Sequence, residues 1–421
     1  MQPVNISGFL GANTSLDPKL LPEGVGVVST NQRPGKGDMR PWKVPLQVAT
    51  VPTSTQRKTI WRMGQDTAND AQYWLSWTTV VHAIRGFDPS DPTERTYFSG
   101  SGTPKWTDNT IALAGTPYPV ATRELAVPAP TTALTATQSV AGTGTDETWY
   151  YVHTFVNDLG WESAPSPAST ALTAKPGAII NLTSLEAAPA GSYGITLRRI
   201  YKSKTGTSGS AEFFFLREIA AGLTSSQDDA RPLGADVLPT GGQGAGSSWL
   251  PPPSDGHSLT ALWNGMVSIL SGKAARISEP YAPYAYPLRY EIALRHTGVA
   301  QAVWGQRLLI LTTGDPVLVT GSEPAAMDDQ PTEIMQPCMS ARGVQAFANG
   351  VAWASPNGAW WLGDDGSYNL LENVIDADTW ASMNPSTMVF GRHKELPLLF
   401  IFYNDGAKRG LVVDLRSRGS V

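Results

Sequence analysis

One cysteine, few charges and no long apolar run set the limits of this chain. Cys338 is the only cysteine among 421 residues, so neither an intrachain disulfide nor a cysteine-based zinc site can form. Charged residues make up 16%, below the roughly 25% of average soluble proteins. The longest strongly apolar run is Leu396-Pro-Leu-Leu-Phe-Ile-Phe402, far short of the ~20 residues a membrane helix needs, so no membrane insertion by this chain is expected. The opening Met1-Gln-Pro-Val-Asn5 has neither a basic stretch nor an apolar one, and no signal peptide is expected. A net charge of −5 with no Lys/Arg block argues against broad attraction for nucleic acid.

Catalytic signatures are equally scarce. The histidines, His82, His153, His257, His296 and His393, form neither His-x-x-x-His nor His-Glu-x-x-His, so zinc has no local signature. His153 lies in an aromatic run and reads as a packed strand residue. No Gly-x-Ser-x-Gly elbow and no phosphate-binding Gly-x-x-x-x-Gly-Lys-Ser/Thr loop occurs. Cys338 sits between Pro337 and Met339 with no neighbour to activate it, and reads as an inert thiol. Asp228-Asp229, Asp328-Asp329 and Asp364-Asp365-Gly366 read as exposed hairpin turns, although paired carboxylates also serve glycosidases. The expectation is a non-enzyme with no metal and no cofactor.

What the chain has in quantity is glycine (41), proline (33), tryptophan (14) and tyrosine (13). Proline costs ~3 kcal/mol and glycine ~1 kcal/mol inside a helix, so helices should be few and short. Aromatic residues favour half-buried strands. The expected fold class is all-β, with several domains.

Residues 1–55 carry Pro3, Pro18, Pro22, Pro34, Pro41, Pro45 and Pro52, and read as an extended arm. Strands are expected at 59–63, 73–81 and 95–98 within a second region, 56–127. Residues 128–240 read as one sandwich, with strands at 131–138, 148–156, 168–174, 178–183, 194–203 and 211–219. Turns are expected at 157–160, 165–167 and 205–209. Trp161-Glu-Ser-Ala-Pro-Ser-Pro167 and Leu197-Arg-Arg-Ile-Tyr-Lys202 resemble the fibronectin type III and immunoglobulin-like family. Residues 240–254 read as a linker.

The last region, 241–421, carries an approximate repeat. Turns at Trp263-Asn-Gly265, Trp304-Gly305-Gln306, Ala348-Asn-Gly350 and His393-Lys-Glu395 each lead into an apolar strand, at intervals of about 40–45 residues. That period, with four strands per unit, implies propeller-like blades, to which 56–127 would add one or two. The sandwich would then be an insertion. A plain second sandwich is the other arrangement left open. Ser355-Pro-Asn-Gly-Ala-Trp360 loosely resembles the structural Asp-box turn of sialidase-type propellers, and a simple hairpin accounts for it equally well.

Ser278-Glu-Pro-Tyr-Ala-Pro-Tyr-Ala-Tyr-Pro287 is a proline-stiffened, tyrosine-rich stretch. Tyr281, Tyr284 and Tyr286 read either as a contact with another subunit or as a covered loop; with Trp42 and Trp161 they are the expected interface residues.

Taken together, Phe9-Leu-Gly11, Pro18-Lys-Leu-Leu-Pro22, Arg40-Pro-Trp-Lys43, Thr93-Glu-Arg-Thr-Tyr-Phe-Ser-Gly100 and 278–287 resemble the tail nozzle (tail tubular protein B type) of short-tailed bacteriophages. The resemblance implies a propeller-containing structural subunit of the virion tail, made in the host cytoplasm. It implies a homo-hexameric ring below the portal and adaptor that conducts DNA without binding it specifically and docks tail fibres. The other functional class is a glycan-binding or glycan-cleaving propeller with a fibronectin-like accessory module, for which Arg276, Arg289, Arg295 and Arg342 are available. Convergent aromatic platforms and carboxylates would be its mark.

Overall fold

The computed structural model describes residues 8–416 apart from 34–36, 38–39, 43–45, 52–54, 65–70, 89, 206–210 and 239–248. The expected turn at 205–209 and most of the 240–254 linker lie outside the described residues, as do Pro3, Pro34, Pro45 and Pro52 of the arm. The chain is all-β and built of small sheets, antiparallel apart from the short parallel pair Gly11–Ala12 with Val25–Gly26. Two short α-helices, Asn109–Ala112 and Ala377–Ser382, are N-capped by Asp108 and Asp376, whose carboxylates accept first-turn N–H groups. No helix among the described residues is long and apolar enough to cross a membrane.

Three four-stranded meanders follow one another in the C-terminal half. The first comprises His257–Ala261, Val267–Ser271, Ala274–Ile277 and Glu291–Ala293. The second is Gly298–Trp304, Arg307–Thr312, Val317–Thr320 and Asp328–Pro331. The third is Val344–Phe347, Gly350–Ser355, Gly358–Gly363 and Gly366–Asn369. A last sheet has three strands, Val389–Arg392, Leu398–Asn404 and Lys408–Asp414. The repeated turns expected from the sequence each join the first and second strands of one of these sheets.

The first strands lie side by side in chain order: His257–Ala261 against Gly298–Trp304, that against Val344–Phe347, and that against Val389–Arg392. On its other flank His257–Ala261 meets His82–Arg85, the first strand of an N-terminal sheet completed by Thr96–Ser99, Lys105–Thr107 and Arg123–Glu124. A separate hairpin pairs Thr59–Arg62 with Trp74–Trp77. The expected strand at 73–81 stops at Trp77, and Tyr73 takes a left-handed φ of 65°.

Sheets stacked this way are covered on both faces, and the middle strands show it residue by residue. Leu308 and Ile310 enter the core shared with the first meander, whereas Leu309 and Leu311 enter the core shared with the third. Val351 and Trp353 point back to the second meander, and Ala352 and Ala354 forward to the last sheet. Side chains alternate across a strand, so a strand buried on both faces reads as an unbroken apolar run.

The middle unit, 131–238, contains two three-stranded antiparallel sheets. One orders Tyr151–Asn157, Ile195–Thr205 and Ala211–Ala220; the other orders Ser226–Asp228, Ile179–Thr183 and Thr135–Val140. Tyr151, Ile180, Leu182, Ile200 and Leu216 share a core, joined by Trp149 of the small pair Glu147–Trp149 and Leu172–Ala174. The acidic pairs depart from the turn reading here. Asp228 is fully buried at a strand end and accepts from the Tyr151 hydroxyl and Lys202, both at 2.8 Å. Asp328 and Asp329 lie within a strand, and only Asp364 and Asp365 occupy a turn.

Pro165-Ser-Pro167 is no turn either. Segment 163–169 runs along Tyr151–Asn157 as a stand-in strand with a repeat of three. The N–H groups of Ser163, Ser166 and Ser169 donate to the carbonyls of Phe155, His153 and Tyr151 at 2.8–2.9 Å. Each serine Oγ accepts the N–H of the same partner, at 2.9, 3.1 and 3.0 Å. Three residues per turn is the polyproline II period, which Pro165 and Pro167 favour, so every third side chain returns to the same edge. Ser166→Ala strips the buried His153 N–H of its acceptor and is expected to cost about 1–3 kcal/mol. The control Thr170→Ala, at an exposed site, should stay within about 0.5 kcal/mol. Urea midpoints of the two variants check this.

An aromatic joint as the candidate functional site

Three parts of the chain meet in one cluster. The N-terminal sheet supplies Ile84, Tyr97 and Trp106, the middle unit Phe155 and Trp161, and the first meander Leu259, Val267, Ile269 and Tyr286. Trp161 stacks on Tyr284 with ring centroids 4.9 Å apart and planes at 17°, meets Trp106 edge-on at 6.0 Å and touches Tyr97 at 6.2 Å. The Arg95 guanidinium lies 5.7 Å from the Trp106 ring centre and 5.9 Å from that of Trp161, an arrangement favoured by the negative faces of both rings. Arg123 covers Trp106 at 5.4 Å and pairs with Asp158 of the middle unit. Two hydrogen bonds from backbone N–H groups tie the same parts: Glu124 to the Ser192 carbonyl at 3.0 Å, and Leu259 to the Ser99 side-chain Oγ at 3.0 Å.

Behind the joint, the buried Glu162 carboxylate is fully engaged. It accepts from Thr154 and Tyr201 hydroxyls at 2.6 Å each and from Arg199 at 2.7 Å. Burial, reinforced by this carboxylate, holds the Tyr201 phenol well above its ordinary range. Burial raises the Tyr284 phenol too, and that of Tyr286 strongly. These groups stay protonated at ordinary pH.

The five expected interface residues therefore separate. Tyr286 is completely buried, Trp161 nearly so, and Tyr284 is stacked on Trp161; all three face other parts of this chain. Within the chain these rings form an internal seam, the covered arrangement left open by the sequence for Tyr284 and Tyr286. Tyr281 is 69% exposed, with a left-handed φ of 59°. Its ring crowds Gly265, where a Cβ would approach within 2.6 Å at φ +71°, so that turn requires glycine. Trp42 is half-buried, 5.8 Å from Phe400 of the last sheet, with Arg33 above it at 6.0 Å. Sequence reasoning missed Arg95, Trp106 and Arg123, which meet one another and then Trp161 and Asp158 of the middle unit.

Other chemistry is locally occupied. Among the described residues no group of three or more His, Cys, Asp or Glu is placed to hold a metal. Cys338 is buried, donates to the Ser340 carbonyl at 3.4 Å and has its thiol pushed up to about 12 by burial. Arg276 lies 2.8 Å from Glu291, Arg289 2.8 Å from Glu279, and Arg342 donates to the Lys58 carbonyl at 3.3 Å, so these arginines are spent separately. A cavity of about 790 Å³ on the middle unit is lined by Glu147, Trp149, Lys202, Phe214 and Arg231 among others. Lys202 Nζ sits 3.3 Å from the centre of the Trp149 ring, leaving that face no room to stack on a sugar.

No protein-family model and no curated protein sequence matches this chain. Among solved structures, apo AztD from Citrobacter koseri is similar over 64% of this chain and 68% of its own, at 14% identity and a TM-score of 0.26. BBS1N in complex with ARL6DN, soaked with lead, is similar over 81% and 93%, at 11% identity and a TM-score of 0.26. At such TM-scores neither likeness carries an argument about fold or function.

Proposed function

We propose that this chain is a structural subunit of a bacteriophage tail, of the nozzle type, assembled as a ring that conducts DNA and docks fibres. In this reading the stacked sheets are blades of a propeller and the middle unit is an inserted fibronectin-like sandwich. The observation that carries it is the joint: the chain spends Trp106, Trp161, Tyr284 and two arginines on fixing one unit against another, not on lining an open cleft. A part that keeps register within a ring needs that rigidity.

The propeller reading draws support from contacts between distant parts of the chain. The Thr14 N–H donates to the Val374 carbonyl at 2.9 Å, Trp42 packs on Phe400, and Arg342 reaches Lys58. They bring the N-terminal segments onto the third meander and the last sheet, as a closed ring of blades would.

The test is the copy number of this chain in density-purified particles, by quantitative mass spectrometry against the major capsid protein. About six copies per DNA-filled particle is the expected result for a single closed ring. Absence from particles would remove the reading, and binding to a glycan array would then support the carbohydrate reading.

A further inference from the structure

The segment Leu46-Gln-Val-Ala-Thr-Val51 has the composition of a strand but pairs with no sheet. Its residues suit a strand, it lies between Pro45 and Pro52, and Leu46 is 86% exposed. Among the described residues none of its backbone N–H or C=O groups enters a backbone hydrogen bond; its one polar contact is Gln47 Nε2 to Thr50 Oγ1 at 2.8 Å. Its surroundings are of one sign: from 39 to 65 the chain has Arg40, Lys43, Arg57, Lys58 and Arg62, and no Asp or Glu.

An edge of opposite character exists on the same molecule. Asp328–Pro331 is the outermost strand of the second meander, paired on one side only and exposed along its whole length. Asp328, Asp329 and the following Glu333 are all exposed, and beyond them Met335 is 79% and Met339 40% exposed. Among the other outer strands, that of the last sheet begins with exposed Lys408 and Arg409 and would repel a basic-flanked segment.

We propose that Leu46–Val51 of one copy adds as a strand to the Asp328–Pro331 edge of a second copy. Main-chain hydrogen bonds would supply most of the attraction, as in other strand additions. The arm's basic flanks would meet Asp328, Asp329 and Glu333, and its apolar side chains would cover Met335 and Met339. The same carboxylates and Pro331 keep the edge from accepting arbitrary apolar strands, so charge selects the occupant. The proposal deepens the ring reading by naming the contact between neighbouring copies, and rests on it only for there being neighbours.

The test uses the full chain. Gln47→Cys or Val48→Cys in one preparation is mixed with Asp329→Cys or Gln330→Cys in another and oxidised; adjacent positions are paired because successive side chains face opposite sides. A covalent heterodimer is expected for one of these pairs, with the buried Cys338 unreactive. Ala49→Pro, and separately Asp328→Lys with Asp329→Lys, should raise the half-assembly concentration about tenfold or more in sedimentation. The lysine pair should be rescued by Lys43→Glu with Lys58→Glu in the same chain. A wild type that assembles while no pair cross-links overturns the proposal, as does a wild type that stays monomeric. Cross-linking by a chain that is absent from particles keeps this contact and removes the tail reading, so the two failures are distinguishable.

Discussion

Trp161→Ala is expected to cost about 3–5 kcal/mol, the range for removing a large buried ring, and to uncouple the middle unit from the rest of the chain. The effect is directed because Tyr97, Trp106, Tyr284 and Arg95, which surround Trp161, all lie outside residues 131–238. The unit's own core around Tyr151, Ile180 and Ile200 is untouched by the substitution. Each aromatic pair contributes about 0.5–1.5 kcal/mol beyond area burial, so several are lost together. The Arg123–Asp158 ion pair crosses the same seam, but its side chains are 29% and 36% exposed, and such pairs contribute about 0–1 kcal/mol. Asp158→Asn should accordingly change little. Calorimetry should show one transition for the wild type and two for Trp161→Ala, with far-UV circular dichroism preserved at 20 °C. One unshifted transition in the variant would show that the seam holds nothing together.

The joint was hidden from sequence reasoning for the reason that makes it effective. Trp161 and Tyr284 are far apart along the chain, and no local period relates a stacked pair at that distance. Each stands out as an aromatic in a proline-rich stretch, with an outside contact and, for Tyr284, a covered loop both open, because a single sequence does not show which rings find each other. The C-terminal meanders were readable on opposite grounds. Leu308-Leu-Ile-Leu311 and Val351-Ala-Trp-Ala354 carry apolar residues at every position since both faces are covered, and a short turn precedes each. The serine stand-in strand defeats a period-two search for a third reason. Its contacts recur every three residues, so Pro165-Ser-Pro167 signals a turn although its serine completes a sheet edge. Short paired segments such as Arg123–Glu124 and Ser226–Asp228 owe their pairing to neighbouring strands and carry no pattern of their own.

Acidification should destabilise the middle unit through His153, a residue with no part in the joint. Its ring is fully buried, neither nitrogen has a hydrogen-bond partner, and it meets Phe155 edge-on at 6.2 Å. Burial, helped by the nearby Arg198 charge, pushes its pKa down from 6.5 to about 4. The folded state thus holds the ring neutral, while the unfolded chain takes up a proton below 6.5. Between those values the unfolded state binds more protons, so stability falls as pH drops through this window. The full loss from this one group, reached near pH 4, is about 3 kcal/mol at ~1.4 kcal/mol per pKa unit. His82, also held low by burial, adds a slope of the same sign. His153→Leu isolates the first contribution, since the ring makes no hydrogen bond that the variant could lose. Unfolding free energies from urea titrations at pH 7.5 and 4.5 should differ by about 2.5 kcal/mol less in the variant than in the wild type. Equal pH dependence in the two chains would show that the buried ring finds a proton acceptor or opens to water before it charges.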